Sequence, residues 1–114
     1  MTRRVTEGEI VLDVRTVGDG SVVITPRGPA DAERGGELRR VLVHTVRRVR
    51  PFRLIVDFSE VLEIDPLDAG SVAAACELGD DHKVTVFVDN PRGEVAQRLT
   101  AAGVPRQRLR HATA

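Results

Sequence analysis

The sequence predicts an α/β fold in which a mixed sheet of four or five strands carries helices mainly on one face. Two observations lead to this class. Short runs rich in β-branched residues alternate with longer segments whose apolar residues recur at helical spacing. The resulting order is β-β-α-β-α-β-α, with room for a final strand. Strands that are joined through helices lie parallel, with right-handed crossovers, so the later strands form a parallel part of the sheet.

Two strands near the start of the chain are predicted to form a hairpin. Residues 9–14 and 21–25 are short and rich in β-branched residues, and a glycine-containing turn at residues 18–20 separates them. The sequence Arg-Gly-Pro at residues 27–29 then breaks the strand pattern. This hairpin supplies the antiparallel part of the mixed sheet.

A first helix is predicted over residues 38–49. Its apolar residues share one face and its arginines lie on the opposite face. The apolar positions are Leu38, Val41, Leu42, Thr45, Val46 and Val49. Gly35 and Gly36 leave the start of this helix undefined. Pro51 follows its end, since proline cannot continue a helix.

Two further strands and a third helix are predicted in the second half of the chain. Residues 54–56 form a continuous apolar run, which is typical of a strand covered on both faces, and residues 84–88 form another buried strand. The third helix runs over residues 92–102 and ends at Gly103, and residues 108–111 fit a short edge strand.

The second helix has a clear start in the sequence. Asp65 fits the N-cap position, and Pro66 fits the first helical position, where its missing N–H costs nothing. This helix is expected to continue to Leu78 and to stop at Gly79. Eight apolar residues of the helices and strands are predicted to be core: Leu42, Val46, Leu54, Val56, Val72, Cys76, Val86 and Leu99.

The composition is that of an ordinary globular protein. The 114 residues are 41% hydrophobic and 30% charged, so we expect one domain over residues 1–114. The sequence has no apolar run of the ~20 residues that span a bilayer and no signal-peptide stretch, so we expect no membrane insertion and a cytoplasmic location. Cys76 is the only cysteine, which excludes a disulfide and a cysteine-based zinc site within one chain.

Charge is balanced overall but uneven along the chain. The 17 basic and 17 acidic residues cancel, which argues against a protein that binds polyanions. Six arginines nevertheless crowd one stretch: Arg39, Arg40, Arg47, Arg48, Arg50 and Arg53. Four carboxylates crowd the next: Glu60, Glu63, Asp65 and Asp68. We expect no nucleic-acid partner, because the aromatic residues that would stack on bases are not interleaved with these arginines.

Four blocks in sequence order resemble the STAS domain family. The sequence GPAD at residues 28–31 stands where the family has a Gly-Glu-Leu-Asp turn before its first helix. VDFSEV at residues 56–61 matches the family's central strand and its Asp-Leu-Ser-Gly-Val exit, and IDPLDAG at residues 64–70 stands at its Asp-Ser-Ser-Gly-Leu-Gly signature. NP at residues 90–91 begins the segment around the third helix. The resemblance covers about residues 8 to 112.

This resemblance implies a bacterial anti-sigma factor antagonist, a transcription regulator that binds another protein. The implied partner is an anti-sigma factor of the ATP-binding kinase type. In members regulated by phosphorylation, the second serine of the signature accepts phosphate, and here that position is Leu67, which has no hydroxyl. Pro66 and Asp68 depart from the signature as well. We therefore expect no phosphorylation in this segment, with Ser71 as the one displaced acceptor left open.

The expected partner-binding surface lies at the start of the second helix, with supporting loops nearby. Its residues are Asp31, Asp65, Pro66, Leu67, Asp68 and Asn90. We expect Leu67 to be an exposed apolar centre with Asp65 and Asp68 as its charged rim. The two carboxylates are interpreted as a cap and a first-turn residue that stabilise the helix. Partial mimicry of the missing phosphate stays open beside that interpretation.

Two other functions stay open. The domain could be a STAS subunit of a sensory complex or of a transport ATPase. An enzyme would have to use Glu63, Asp65 and Asp68 with a histidine, and the chain has three: His44, His82 and His111. We expect no catalysis, metal or cofactor, since no catalytic or phosphate-binding motif is present and the histidines are far apart in sequence.

Overall fold

The computed structural model describes residues 2–7, 10–27 and 35–111, and over these ranges six strands form one sheet. The strands are β1 (Thr2–Glu7), β2 (Ile10–Thr16), β3 (Val22–Arg27), β4 (Arg53–Asp57), β5 (Thr85–Asp89) and β6 (Leu109–Arg110). Their order in the sheet is the order along the chain. Pairing is antiparallel from β1 to β3 and parallel from β3 to β6.

Three helices connect the parallel strands. They are α1 (Gly35–His44), α2 (Pro66–Asp81) and α3 (Gly93–Ala102). A single π-helical turn, Thr45–Val49, extends α1, and the backbone N–H of Arg50 closes it by donating to the Thr45 carbonyl at 2.8 Å. A short 3-10 turn, Arg106–Arg108, leads into β6.

The core lies between the helices and one face of the sheet. In β4 and β5 every second residue is fully buried, namely Leu54 and Val56 beside Val86 and Val88. All eight residues predicted to be core are buried. The residues between them in the strands, such as Ile55, are only half-buried, so residues 54–56 are not covered on both faces as expected. The predicted α/β class, with a mixed sheet and helices mainly on one face, is confirmed.

The sheet differs from the prediction by one strand. β2–β6 are the five expected strands, and β1 adds a sixth by pairing with β2 from Thr2–Arg15 to Glu7–Ile10. The sequence of β1 contains one apolar residue, Val5, among five polar ones. Its residues do not alternate between apolar and polar, so the sequence carries no strand signal here. The pairing of β1 with β2 rests on backbone hydrogen bonds, which do not depend on such a pattern.

The predicted end of α2 at Gly79 is wrong, because the helix continues to Asp81. The backbone N–H of His82 then donates to the carbonyls of Leu78 and Gly79 at 3.2 and 3.0 Å. Gly79 is buried, and a Cβ atom at this position would overlap the carbonyl oxygen of Val84. The glycine therefore permits close approach of α2 to the chain entering β5, which is a different role from ending a helix.

Candidate functional site

The loops that follow β4 and β5 lie at one edge of the sheet, which we call the carboxyl edge. The backbone N–H of Phe58 donates to the Asp89 carbonyl at 2.8 Å, which joins the start of the loop after β4 to the end of β5. α2 begins at this edge after the loop from Phe58 to Asp65. Ligands of open α/β sheets characteristically bind at the carboxyl ends of the strands, so this edge is the first place to look for a site.

The start of α2 has the predicted geometry. Asp65 has an extended backbone, and its Oδ1 atom accepts a hydrogen bond from the backbone N–H of Asp68 at 2.7 Å. Pro66 occupies the first turn, and the N–H of Ala69 donates to the Asp65 carbonyl at 3.0 Å, which starts the helical ladder. The prediction that Asp65 caps this helix is confirmed.

Two leucines are exposed beside this helix start. Leu67 is 49% exposed, as expected, and Leu62 in the preceding loop is 66% exposed. Leu62 was missed by sequence reasoning. Its neighbours Val61 and Ile64 are both buried and hold the loop against the core. No periodic pattern in a loop this short marks which of its apolar residues faces outward.

The side chain of Asp68 is buried and is not exposed beside that of Leu67. It is only 8% exposed, so the expectation that it contributes to a charged rim is wrong. Burial raises the pKa of Asp68 to about 7, and the negative charge of Asp65 adds to this shift. The Oδ1 atom of Asp68 and the Oδ2 atom of Asp65 are both buried and make no hydrogen bond. In the loop before α2, the exposed carboxylates belong instead to Glu60 and Glu63.

Ser71 lies one turn after Leu67, on the same side of α2. It is buried, and its hydroxyl donates to the Leu67 carbonyl at 3.0 Å. Transfer of phosphate to this oxygen would require the hydroxyl to leave both the hydrogen bond and the buried position.

The structure places Asn90 at the same edge of the sheet as the start of α2. Asn90 is half-buried in a left-handed conformation (φ 58°), and its backbone N–H donates to the Arg110 carbonyl at 2.6 Å. Asp31 lies outside the described residues. Of the six predicted partner-binding residues, five therefore lie at the carboxyl edge, and one of these, Asp68, is buried.

A shallow groove of about 480 Å³ continues the surface from α2 onto α3. Its lining residues are Pro66, Ala69, Gly70, Arg98, Ala101 and Ala102. Most of these side chains are small and apolar, and Arg98 is the one charged residue among them. The groove offers another protein a shallow, mostly apolar surface that begins at Pro66, the residue before Leu67.

The three histidines considered for catalysis are dispersed over the fold, and of the three carboxylates considered with them Asp68 is buried. His44 ends α1, His82 follows α2, and His111 follows β6, where its ring lies 3.1 Å from the Pro91 carbonyl. Within the part of the chain that the structure describes, no three histidine, cysteine or acidic side chains gather as a metal site. Cys76 is buried as predicted, and burial raises the pKa of its thiol to about 11, so it stays protonated at neutral pH. Among the described helices, none is both long and apolar enough to cross a membrane.

A family model described as STAS domain matches residues 11–109 of the chain, and no curated protein matches its sequence. Among solved structures, the anti-sigma factor antagonist SpoIIAA of Bacillus in its unphosphorylated form superposes with a TM-score of 0.73 at 17% identity, covering 90% of this chain and 88% of that one. RsbS of Moorella thermoacetica, carrying a serine-to-glutamate substitution, gives a TM-score of 0.73 at 17% identity, covering 90% and 86%.

The same fold also occurs as a small part of a transporter. The murine anion transporter Solute Carrier 26 family member A9 matches with a TM-score of 0.61 at 21% identity, covering 74% of this chain but only 14% of that one. At these identities the solved structures show a shared fold.

Proposed function

The chain belongs to the STAS domain family, and we propose that it is a regulatory module of the anti-sigma factor antagonist kind, which binds a protein partner and catalyses no reaction. The observation that carries this proposal is Leu67, an apolar side chain that is 49% exposed in the first turn of α2. An apolar side chain held at the surface of a rigid helix gains its full burial energy only when a partner covers it.

The surroundings of Leu67 support a docking surface. Leu62 and Pro66 extend the apolar centre, and the groove along α3 continues it. Glu60 and Glu63 supply an exposed charged rim. Protein interfaces commonly combine a desolvated apolar centre with a polar rim in this way.

Regulation in this proposal does not use phosphate at the start of α2. Leu67 stands at the position where phosphorylated family members carry serine, and it offers no acceptor oxygen. The nearest hydroxyl, that of Ser71, is buried and bonded to the helix backbone. The proposed module therefore binds its partner constitutively, or responds to another input than phosphorylation at this segment.

The proposed partner is an anti-sigma factor of the ATP-binding kinase type in the bacterial cytoplasm, so that binding would control transcription. A second candidate is a STAS subunit of a larger assembly, such as a sensory complex or a transport ATPase. The likeness to the anion transporter supports this second candidate, since in that chain the shared fold is a small part of a larger protein.

A capture experiment separates these candidates. The full chain and its Leu67→Asp variant would be immobilised side by side, and proteins retained from cells of the source organism would be quantified by mass spectrometry. The proposal expects a kinase-like anti-sigma factor that the parent chain retains and the variant loses. A transporter or a sensory STAS protein with the same dependence on Leu67 selects the second candidate. Equal retention of every protein by both chains contradicts docking at this surface.

A further inference from the structure

A second exposed apolar surface lies at the opposite edge of the sheet, where β4 and β5 begin, and we call this the amino edge. Phe52, immediately before β4, is 75% exposed, and Val49 in the π-helical turn is 53% exposed. The Phe52 carbonyl accepts the Thr85 N–H at 3.3 Å, which ties this segment to the start of β5. The proposed function uses neither side chain.

The amino edge is basic. Arg47, Arg48 and Arg50 are exposed and have no carboxylate partner among the described residues. The guanidinium of Arg53 lies 5.9 Å from the centre of the Phe52 ring. Two nearby carboxylates are engaged, since Asp19 lies 3.8 Å from Arg53 and Asp80 lies 2.9 Å from Arg108. Asp81, at the end of α2, is exposed and offsets one positive charge, while the exposed Lys83 adds one. The amino edge therefore presents an apolar centre inside a positively charged rim.

The carboxyl edge presents the complementary combination. Its exposed apolar side chains are Leu62 and Leu67, and its exposed carboxylates are Glu60, Glu63 and Glu94. Arg92, the N-cap of α3, is exposed at the same edge and carries the opposite charge. Arg27 neutralises part of the negative charge, because its Nε atom lies 3.2 Å from Glu60. Glu63 has no basic partner among the described residues, which leaves its charge available to another molecule.

The two edges cannot meet within one molecule. α2 runs from the carboxyl edge to the amino edge, and its 16 residues span about 24 Å at 1.5 Å per residue. We propose that the occupant of each edge is a second copy of this chain, whose amino edge docks head-to-tail on the carboxyl edge of its neighbour. The formal net charge of zero removes the long-range repulsion that would oppose such self-association.

Head-to-tail contact has two consequences. An assembly of any length has one free amino edge at one end and one free carboxyl edge at the other. It therefore continues to grow unless it closes into a ring. The carboxyl edge is also the docking surface of the proposed function, so self-association competes with partner binding. Only this competition rests on the proposed function, and the contact itself does not.

Sedimentation velocity over a range of protein concentrations tests the contact without any partner protein. We expect the weight-average sedimentation coefficient to rise with concentration at about 0.1 M salt. It should return toward the monomer value at about 1 M salt, because the Debye length falls from about 10 Å to about 3 Å. A monomer at every concentration would overturn the proposal and would leave partner binding untouched.

Two edge variants decide the geometry. Phe52→Asp damages the amino edge and Leu62→Asp damages the carboxyl edge, so each alone is expected to stay monomeric. Mixed in equal amounts, they should form a dimer that grows no further, since each supplies one intact edge. Both positions are exposed, and Phe52→Ser with Leu62→Ser repeats the test without an added charge.

Gln97→Asp, at an exposed position on α3, is the matched control and should associate like the parent chain. Continued association of either edge variant alone would indicate a symmetric contact and would overturn the proposal. The proposal would also be overturned if the chain stayed monomeric and its amino edge instead bound DNA or anionic lipid vesicles through Phe52.

Discussion

The carboxylate of Asp65 accepts the backbone N–H of Asp68 at 2.7 Å, while the carboxyl group of Asp68 itself is buried with one oxygen lacking any hydrogen bond. The first of these relationships stabilises the start of α2, because a cap satisfies a backbone donor that has no partner within the helix. The second opposes it, because a buried carboxylate loses its hydration and lies close to a second negative charge. The helix beneath the proposed docking surface therefore depends on the protonation of Asp68.

This dependence predicts a stability that falls as the pH rises. The pKa of Asp68 is about 7 in the folded protein against 3.8 ordinarily. Between these values the folded protein holds a proton that the unfolded chain has released, so raising the pH favours unfolding. The contribution is complete below about pH 4 and is lost as the pH passes 7, with a slope of up to about 1.4 kcal/mol per pH unit.

Asp68→Asn isolates this effect in urea denaturation at pH 5 to 8. The free energy of unfolding of the parent chain should fall relative to that of the variant as the pH rises, because asparagine does not titrate. Asp81→Asn, at an exposed position of the same helix, serves as the control and should track the parent chain. A difference between parent and Asp68→Asn that stays constant with pH would contradict the raised pKa.

The cap itself can be separated from its charge. Asp65→Ala should lower the free energy of unfolding by about 1 kcal/mol, because one backbone donor of α2 loses its partner. The comparison is best made at pH 5, where Asp68 is protonated and relief of repulsion does not offset the loss. Asp65→Asn retains an acceptor oxygen and should cost less, while lowering the pKa of Asp68 in a carbon-detected NMR titration. Equal stability of the parent and the alanine variant would exclude a capping role.

Two glycines of α2 should respond to alanine with opposite signs. Gly79→Ala places a Cβ atom against the Val84 carbonyl and should destabilise the fold by about 1–3 kcal/mol. Gly70 is exposed and has open space around it, so Gly70→Ala should stabilise by about 0.5–1 kcal/mol through the entropy of the unfolded chain. Thermal denaturation of both variants checks this pair, and a shift of the two melting temperatures in the same direction would speak against it.

Phosphate transfer should depend on a hydroxyl at position 67. Intact-mass measurement after incubation with a cognate anti-sigma kinase and ATP should show no added phosphate on the parent chain. Leu67→Ser restores an exposed hydroxyl at the helix start and should accept one phosphate, which the N-terminal dipole of α2 favours. Ser71→Ala in that background confirms the position. Phosphate on Ser71 of the parent chain would show that the switch has moved along the helix.

The sequence predicts the parts of this structure that depend on periodicity and local chemistry. Leu54 and Val56 are core because a central strand buries one face, and the Asp-Pro pair at residues 65–66 has the residue types preferred at the N-cap and at the first helical position.

The remainder depends on tertiary contacts that no local pattern records. Gly79 looks like a helix end until the approach of Val84 is known. Asp68 looks like a surface carboxylate, because a residue in the first turn of a helix can face either way. Leu62 faces outward because its loop neighbours Val61 and Ile64 are buried. The sequence does not show which of these three apolar residues is exposed.

The affinity of the chain for its partner, measured with the parent protein and with Leu67→Asp, tests the central claim most directly. The kinase-like anti-sigma factor retained in the capture experiment would be titrated by calorimetry, with Gln97→Asp as the control. An interface anchor at Leu67 predicts a loss of about 1–3 kcal/mol, a roughly 5- to 150-fold weaker Kd, at unchanged melting temperature. An unchanged Kd in a folded Leu67→Asp variant would contradict docking at the start of α2.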